Sequence, residues 1–211
     1  MLEFSCEHRY AGGFHLDMTF RADKGVTVLA GPSGSGKTTT LLLVAGLLRP
    51  DHGRISLGAD ILVDTDKGRF VSAHRRAVGF VFQDNLLFPH LPVRGNLVYG
   101  MRRRGKAHPP FESVVNLLRL EKLLTRYPST LSGGEARRVA IGRAILSGPK
   151  MLMLDEPLSG LDAELVDSTI ELIAESAQTW GLPVLLVSHD QGRIDHIADR
   201  VIRMRNGMRD D

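Results

Sequence analysis

Four apolar runs punctuate the chain: Val26-Thr27-Val28-Leu29-Ala30, Val78-Gly79-Phe80-Val81-Phe82, Met151-Leu152-Met153-Leu154 and Val184-Leu185-Leu186-Val187. They are continuous rather than alternating, the pattern of parallel strands covered on both faces. Lys37 to Leu48 reads as a helix stopped by Arg49-Pro50. Helical stretches separate several of the strands, so the pattern predicts an α/β sheet with right-handed crossovers.

The middle of the chain differs. From about Asn85 to Ser147 no comparable strand run occurs, while helical periodicity appears in Phe111 to Leu124 and again in Glu135 to Leu146. This segment reads as a helical subdomain inserted between strands of the sheet. Arg103 to Pro110 is polar and Pro-containing and reads as a loop. No internal repeat, heptad pattern or low-complexity segment stands out.

Composition bounds the picture. A chain of 211 residues, 43% hydrophobic and 24% charged, suits one globular domain with a sizeable core. Its 27 Lys and Arg against 24 Asp and Glu leave a formal charge of +3, weak grounds for expecting nucleic acid. The densest basic run, Arg102-Arg103-Arg104 with Lys106, is a solvated loop or a contact with a partner. Cys6 is the only cysteine, which excludes a disulfide scaffold and multi-cysteine zinc sites. The N-terminus lacks a basic region followed by an apolar core, so it is no secretory signal. The longest apolar run, Leu41 to Leu48, is far below the ~20 residues a membrane helix needs. A soluble chain is expected; any membrane spanning would fall to another chain.

The chemistry is concentrated in a few segments. Gly31-Pro32-Ser33-Gly34-Ser35-Gly36-Lys37-Thr38 matches the phosphate-loop pattern G-x-x-x-x-G-K-[ST] in full, follows a strand and opens a helix. Its glycines let the backbone curl so that N–H groups face phosphates; Lys37 would neutralise them and Thr38 would bind Mg²⁺. Asp155-Glu156 closes the Met151–Leu154 strand, at the end where parallel sheets bind ligands. Asp155 is expected to hold Mg²⁺ and Glu156 to polarise an attacking water. A second candidate phosphate site is Leu131-Ser132-Gly133-Gly134-Glu135, which opens a helix. Ser188-His189-Asp190 is no hydrolase triad, because neighbours at a strand end do not converge as a triad must.

In order along the chain, these segments resemble the ATP-binding cassette (ABC) ATPases. Gly31–Thr38 resembles their Walker A loop, Gln83 their Q-loop glutamine and Leu131–Glu135 their signature motif. Met151–Glu156 is similar to Walker B with the catalytic glutamate, Ser159-Gly160-Leu161-Asp162 to the D-loop, and His189 to the switch histidine. The resemblance implies a P-loop NTPase (RecA-like) fold with a mostly parallel core, an N-terminal antiparallel β part and an inserted helical subdomain. Residues 1–84 and 148–211 would form the core with its β subdomain, and 85–147 the helical signature subdomain. It implies ATP and Mg²⁺ as cofactors, with Gln83 contacting the metal and water and His189 holding the γ-phosphate. Gly31 to Thr39 would bind one ATP, with Asp162 beside it. Ser132, Gly133 and Gly134 would reach the ATP of a second copy packed head to tail. The family stacks adenine on an aromatic before the phosphate loop: Tyr10 is the candidate and Phe14 the alternative, on a strand read as short with Gly12-Gly13 between them. A core or strand role stays open for both; Phe20 reads as core.

Within the family, Phe82-Gln83, Leu87-Phe88-Pro89-His90-Leu91, Val93-Arg94-Gly95-Asn96-Leu97, Tyr99-Gly100, Glu135 and Val139-Ala140-Ile141-Gly142-Arg143-Ala144 resemble molybdate-type importer ATPases. Sulfate, phosphate, polyamine and sugar importers share the broader pattern. The partners implied are transmembrane permease subunits, a second copy of the chain and, indirectly, a solute-binding protein, at the cytoplasmic face of the inner membrane and without nucleic acid. Asn85 to Gly100 is the expected permease-docking surface, with Phe88 and Leu91 as apolar contacts or subdomain core. Molybdate-type ATPases continue into a C-terminal regulatory domain, and ending at Asp211 leaves none expected here. Two rivals fit less well. A non-transport ABC ATPase would carry a long heptad insert or a second cassette, and a nucleotide kinase has no use for Leu131–Glu135 and Gln83.

Overall fold

The computed structural model describes residues 1–101, 109–160, 163–188 and 197–210. The basic run Arg102–Arg104 with Lys106 lies outside them, as do Asp162 and His189.

Eleven strands in the described residues form two sheets. The first, antiparallel, has the order β2-β1-β4-β5-β6, from β1 (Leu2–Arg9), β2 (His15–Ala22), β4 (His52–Leu57), β5 (Asp60–Asp64) and β6 (Arg69–Phe70). The second has the order β11-β10-β3-β9-β8-β7, from β3 (Val26–Ala30), β7 (Val78–Val81), β8 (Met151–Asp155), β9 (Val184–Ser188), β10 (Arg200–Arg205) and β11 (Met208–Arg209). Pairing from β10 through β7 is parallel, and only β11 runs antiparallel. This is the expected α/β cassette core. The antiparallel part takes in β4 to β6, after the first helix, which join the N-terminal hairpin. That hairpin is also not short: β1 and β2 pair along eight residues each, from Leu2↔Ala22 to Arg9↔His15.

The apolar strand runs have a direct explanation in the core. Val28, Leu152, Leu154, Val184 and Leu186 join a cluster with Val139 and Ile145 of α4 (Gly133–Leu146) and Ile170 and Ile173 of α5 (Ala163–Trp180). The alternate residues Leu29, Met151, Met153, Leu185 and Val187 join a second cluster with Leu41, Leu43 and Val44 of α1 (Lys37–Ala45) and Phe4, Ile55 and Val63 of the antiparallel sheet. Both faces of the parallel sheet are therefore buried, so period-2 alternation disappears from the sequence. Burying a Leu or Val side chain contributes roughly 1.5–3 kcal/mol, which makes these strands the framework on which the loops are fixed. Phe20 is core, stacked on Phe4 with centroids 5.0 Å apart.

Helix bounds differ from those read in the sequence. α1 ends at Ala45 rather than Leu48: Gly46 adopts φ 77° and its N–H closes on the Leu42 and Leu43 carbonyls. α3 (Phe111–Leu117) stops well short of Leu124, because Arg119 takes φ 54° and a separate 3₁₀ turn, Glu121–Leu123, follows. α4 begins at Gly133 rather than Glu135, for a reason given below. α2 (Val93–Val98) packs on α4. No helix among the described residues is long and apolar enough to cross a membrane.

Candidate functional site

Register gathers the site. Ala30 pairs with Ser188, Asp155 with Val187, and Val81 with Leu154. The carboxyl ends of β3, β9, β8 and β7 therefore share one edge, where open α/β sheets bind ligands. The Gly31 loop, Asp155-Glu156 and Phe82-Gln83 all leave the sheet there.

A cavity of about 810 Å³ opens at this edge. The phosphate-loop residues Ser33, Gly34, Gly36, Lys37, Thr38 and Thr39 line it together with Gln83, Glu156, Ser159, Tyr10 and Phe14. Lys37 is buried and its Nζ donates to the Gly31 and Pro32 carbonyls, both at 2.9 Å. Its own loop thus holds the cation ready for an anion. Burial pushes its pKa down, and the carboxylates of Glu156 and Asp155 push back. Gly31, Pro32 and Ser35 belong to the same loop but do not line the cavity. At Gly31 (φ 154°) a Cβ would run into the Met204 carbonyl, and at Gly36 it would lie 2.7 Å from a Leu16 methyl. Ser35 is buried, with no partner for its hydroxyl among the described residues.

Thr38 Oγ1 donates to Asp155 Oδ1 at 3.0 Å. Burial raises the Asp155 pKa, with Glu156 adding to the rise, while the Thr38 bond and Lys37 hold it down. Two hard oxygens side by side, Thr38 Oγ1 and a buried carboxylate, could hold a Mg²⁺ ion. Glu156 has φ 47°, a left-handed conformation disfavoured for a non-glycine residue. Its N–H donates to the Val187 carbonyl at 3.0 Å and its carbonyl accepts from Ser159 N–H at 3.1 Å. Backbone strain of this kind persists where the surroundings over-determine it, often at functional sites.

Gln83 lies two residues past β7 and is exposed; its Nε2 donates to Ser159 Oγ at 3.4 Å. Ser159 opens the segment that resembles a D-loop, and nothing local in the sequence signals its contact with Gln83, 76 residues away. Tyr10 is 40% exposed, edge-on to His8 at 4.7 Å, with its hydroxyl 3.4 Å from Thr39 Oγ1. Phe14 lies 6.1 Å from it. The structure brings both aromatics to the cavity.

The signature segment stands apart: Ser132, Gly133 and Gly134 are not among the residues lining this cavity. Ser132 caps α4 by accepting from Glu135 N–H at 3.2 Å, while its own N–H donates to Glu135 Oε2 at 2.7 Å. This capping box draws both glycines into the first turn, which is why the helix starts at Gly133. Gly133 is exposed, and a Cβ there would meet nothing. Gly133 thus sits exposed at the first helical position, and no packing among the described residues requires a glycine there.

The ABC transporter family model matches residues 15–159. Similar proteins include the molybdenum import ATP-binding protein ModC of Rhizobium meliloti, 44% identical over 93% of this chain and 56% of that protein. ModC of Pectobacterium atrosepticum is 47% identical over 95% of this chain and 56% of its own. The chain thus spans a little over half the length of these relatives. Among solved structures, cbiO1 of Clostridium perfringens, part of the ABC transporter complex cbiONQ, has TM-score 0.85 at 27% identity over the whole chain and 86% of its own. The ATP-binding cassette MJ0796, a dimer in a post-hydrolysis state with ADP and Pi, has TM-score 0.81 at 24% identity, covering the whole chain and 97% of its own.

Proposed function

The chain belongs to the ABC transporter family, and from that premise we propose that it is an ATP-hydrolysing subunit that powers transport through a separate permease. The observation that carries this reading is the 810 Å³ cavity, which gathers Lys37, Thr38, Gln83 and Glu156 with the aromatics Tyr10 and Phe14. Gly31 to Thr39 would bind the ATP phosphates, Lys37 neutralising them with loop N–H groups. Tyr10 or Phe14 would stack the adenine. Thr38 and Asp155, with Gln83, would hold Mg²⁺, which would offset phosphate charge when bound. Glu156 would polarise the water that attacks the γ-phosphate, and His189 would hold that phosphate. Residues 1–84 and 148–211 would act as the core and 85–147 as the helical signature subdomain.

Two copies would pack head to tail, each lending Ser132, Gly133 and Gly134 to the other's ATP beside its Asp162. The outward-facing Gly133 and a cavity that lacks its own chain's signature support this. Ser132 Oγ accepts one bond in the cap and keeps its proton to donate. Asn85 to Gly100 would dock the permease at the cytoplasmic face of the inner membrane, with a solute-binding protein beyond it. The ModC relatives support a small oxyanion such as molybdate as the solute.

Glu156→Gln tests the reading. It should keep binding ATP, lose roughly 100-fold or more in hydrolysis, and accumulate as an ATP-dependent dimer by light scattering. Adding Ser132→Arg should return that variant to monomer with ATP still bound. Near-parental turnover would remove Glu156 as the base, and a dimer indifferent to Ser132→Arg would remove the shared site.

A further inference from the structure

Two arginines of α4 hold the segment that carries Gln83. Arg137, 3% exposed, donates from Nη1 to the Phe82 carbonyl at 3.0 Å and from Nη2 to the Gln83 carbonyl at 2.7 Å. Arg143 donates from Nη1 to the Leu86 carbonyl at 2.7 Å and from Nη2 to the Asn85 carbonyl at 3.0 Å, with its guanidinium 5.2 Å over the Phe88 ring. Four carbonyls of a five-residue segment are thus gripped by two planar forks. A guanidinium suits this task because its donors sit in a fixed geometry and it stays charged when buried.

The segment has reason to be held. Asn85 and Leu86 both take left-handed conformations, φ 58° and 44°, disfavoured for a side chain such as leucine. Its own backbone bonds are slight: Asn85 N–H to the Phe82 carbonyl at 3.1 Å and Leu86 N–H to the Asp84 carbonyl at 2.6 Å. Neither arginine lines the nucleotide cavity. Arg137 follows Ser132 by five residues on the same helix, so any displacement of the helix start is carried to the Gln83 backbone through a buried fork.

We propose that Arg137 and Arg143 are positioning residues that couple the Ser132–Glu135 helix start to Gln83, fixing the glutamine at the cavity only while α4 is in place. The proposal rests on the reading of Gln83 as a site residue. The experiment compares Arg137→Met, Arg143→Met, Arg137→Lys and Gln83→Ala, singly and with each arginine change combined with Gln83→Ala. Hydrolysis is resolved into kcat and KM for ATP, and amide hydrogen exchange is followed across residues 83–87. Arg137→Met should lower kcat by between about 10- and 100-fold while KM stays within about 3-fold. In the Gln83→Ala background it should cost almost nothing more, because the two act as a unit. Arg137→Lys should recover part of the rate, having a charge without the fork. Exchange at Asn85 and Leu86 should speed up by at least about 10-fold in both methionine variants.

Equal fractional losses with and without Gln83 would overturn the proposal, since they mark a purely structural role. So would a rise in KM with a lowered melting temperature and unchanged exchange. If Gln83→Ala alone leaves kcat intact, the functional reading of Gln83 falls and the coupling to catalysis falls with it. Faster exchange in the arginine variants would then still establish the grip itself.

Discussion

Arg76 makes the sharpest test of how α1, the helix that opens at Lys37, is anchored. Among the described residues it is the largest side chain with no exposure at all, and it lies beyond the far end of α1 from Lys37. Its Nε donates to the Val71 carbonyl and its Nη1 to the Leu43 and Val44 carbonyls, all at 2.7 Å, and its guanidinium sits 4.9 Å over the Phe70 ring. The Leu43 and Val44 carbonyls belong to the last turn of α1, where partial negative charge accumulates and cations are favoured. Burial lowers the Arg76 pKa to about 10, so the group keeps its charge at neutral pH.

Arg76→Met keeps the apolar stem and deletes the three bonds. Hydrogen bonds to a charged donor contribute roughly 1.5–3 kcal/mol each. A simple sum overstates the loss, because the bonds share one side chain and methionine fills part of the space. Gly46 N–H also still reaches the Leu43 carbonyl, at 3.2 Å. The expected destabilisation is about 3–4 kcal/mol, within the range for a broken buried network. For a chain of this size that lowers Tm by roughly 6–16 °C, at about 2–4 °C per kcal/mol. Urea unfolding followed by circular dichroism measures it, with the exposed neighbour Arg75→Met as control, expected to stay within about 0.5 kcal/mol. A loss below about 1 kcal/mol for Arg76→Met would refute the argument, since it would mean that water replaces the guanidinium at no cost.

Asp155→Asn should be at least as stable as the parent at neutral pH while losing Mg²⁺-dependent hydrolysis. The folded Asp155 takes up its proton at a higher pH than in the unfolded chain. Its contribution to stability therefore grows as pH falls from the raised value toward the ordinary one, and its charge is a burden above that window. Urea midpoints at neutral and mildly acidic pH should show a flatter dependence for Asp155→Asn; a marked loss at neutral pH would contradict the sign. Glu135→Ala removes half of the capping box and the Arg126 ion pair at 3.4 Å. It should cost about 1 kcal/mol, whereas Glu135→Gln, which retains the box, should stay within about 0.5 kcal/mol by thermal unfolding.

How far the sequence reveals this molecule depends on what each residue bonds to. The parallel strands were legible because both faces of the sheet are buried, which writes itself as continuous apolar runs. Lys37, Thr38, Asp155 and Glu156 were legible because the phosphate and metal chemistry proposed for them calls for those side-chain types whatever the surrounding geometry. The anchoring residues were not. Arg76, Arg137, Arg143 and Asn96 spend their polar atoms on backbone carbonyls, and Asn96 also accepts from the Phe88 N–H. Every residue owns a carbonyl, so such a contact leaves no complementary letter in the chain, as a charge pair would. Their sequence separations compound this: Arg76 reaches back 33 residues to Leu43, and Arg137 reaches 54 to Gln83. Glu156 is the opposite case, a residue whose identity is legible and whose backbone is not. Local propensity opposes a left-handed glutamate, and the chain accepts it between a bond to Val187 and one from Ser159. Motif residues therefore name the chemistry, while its geometry is set by polar side chains gripping main chain far away in sequence, where one-dimensional patterns are silent.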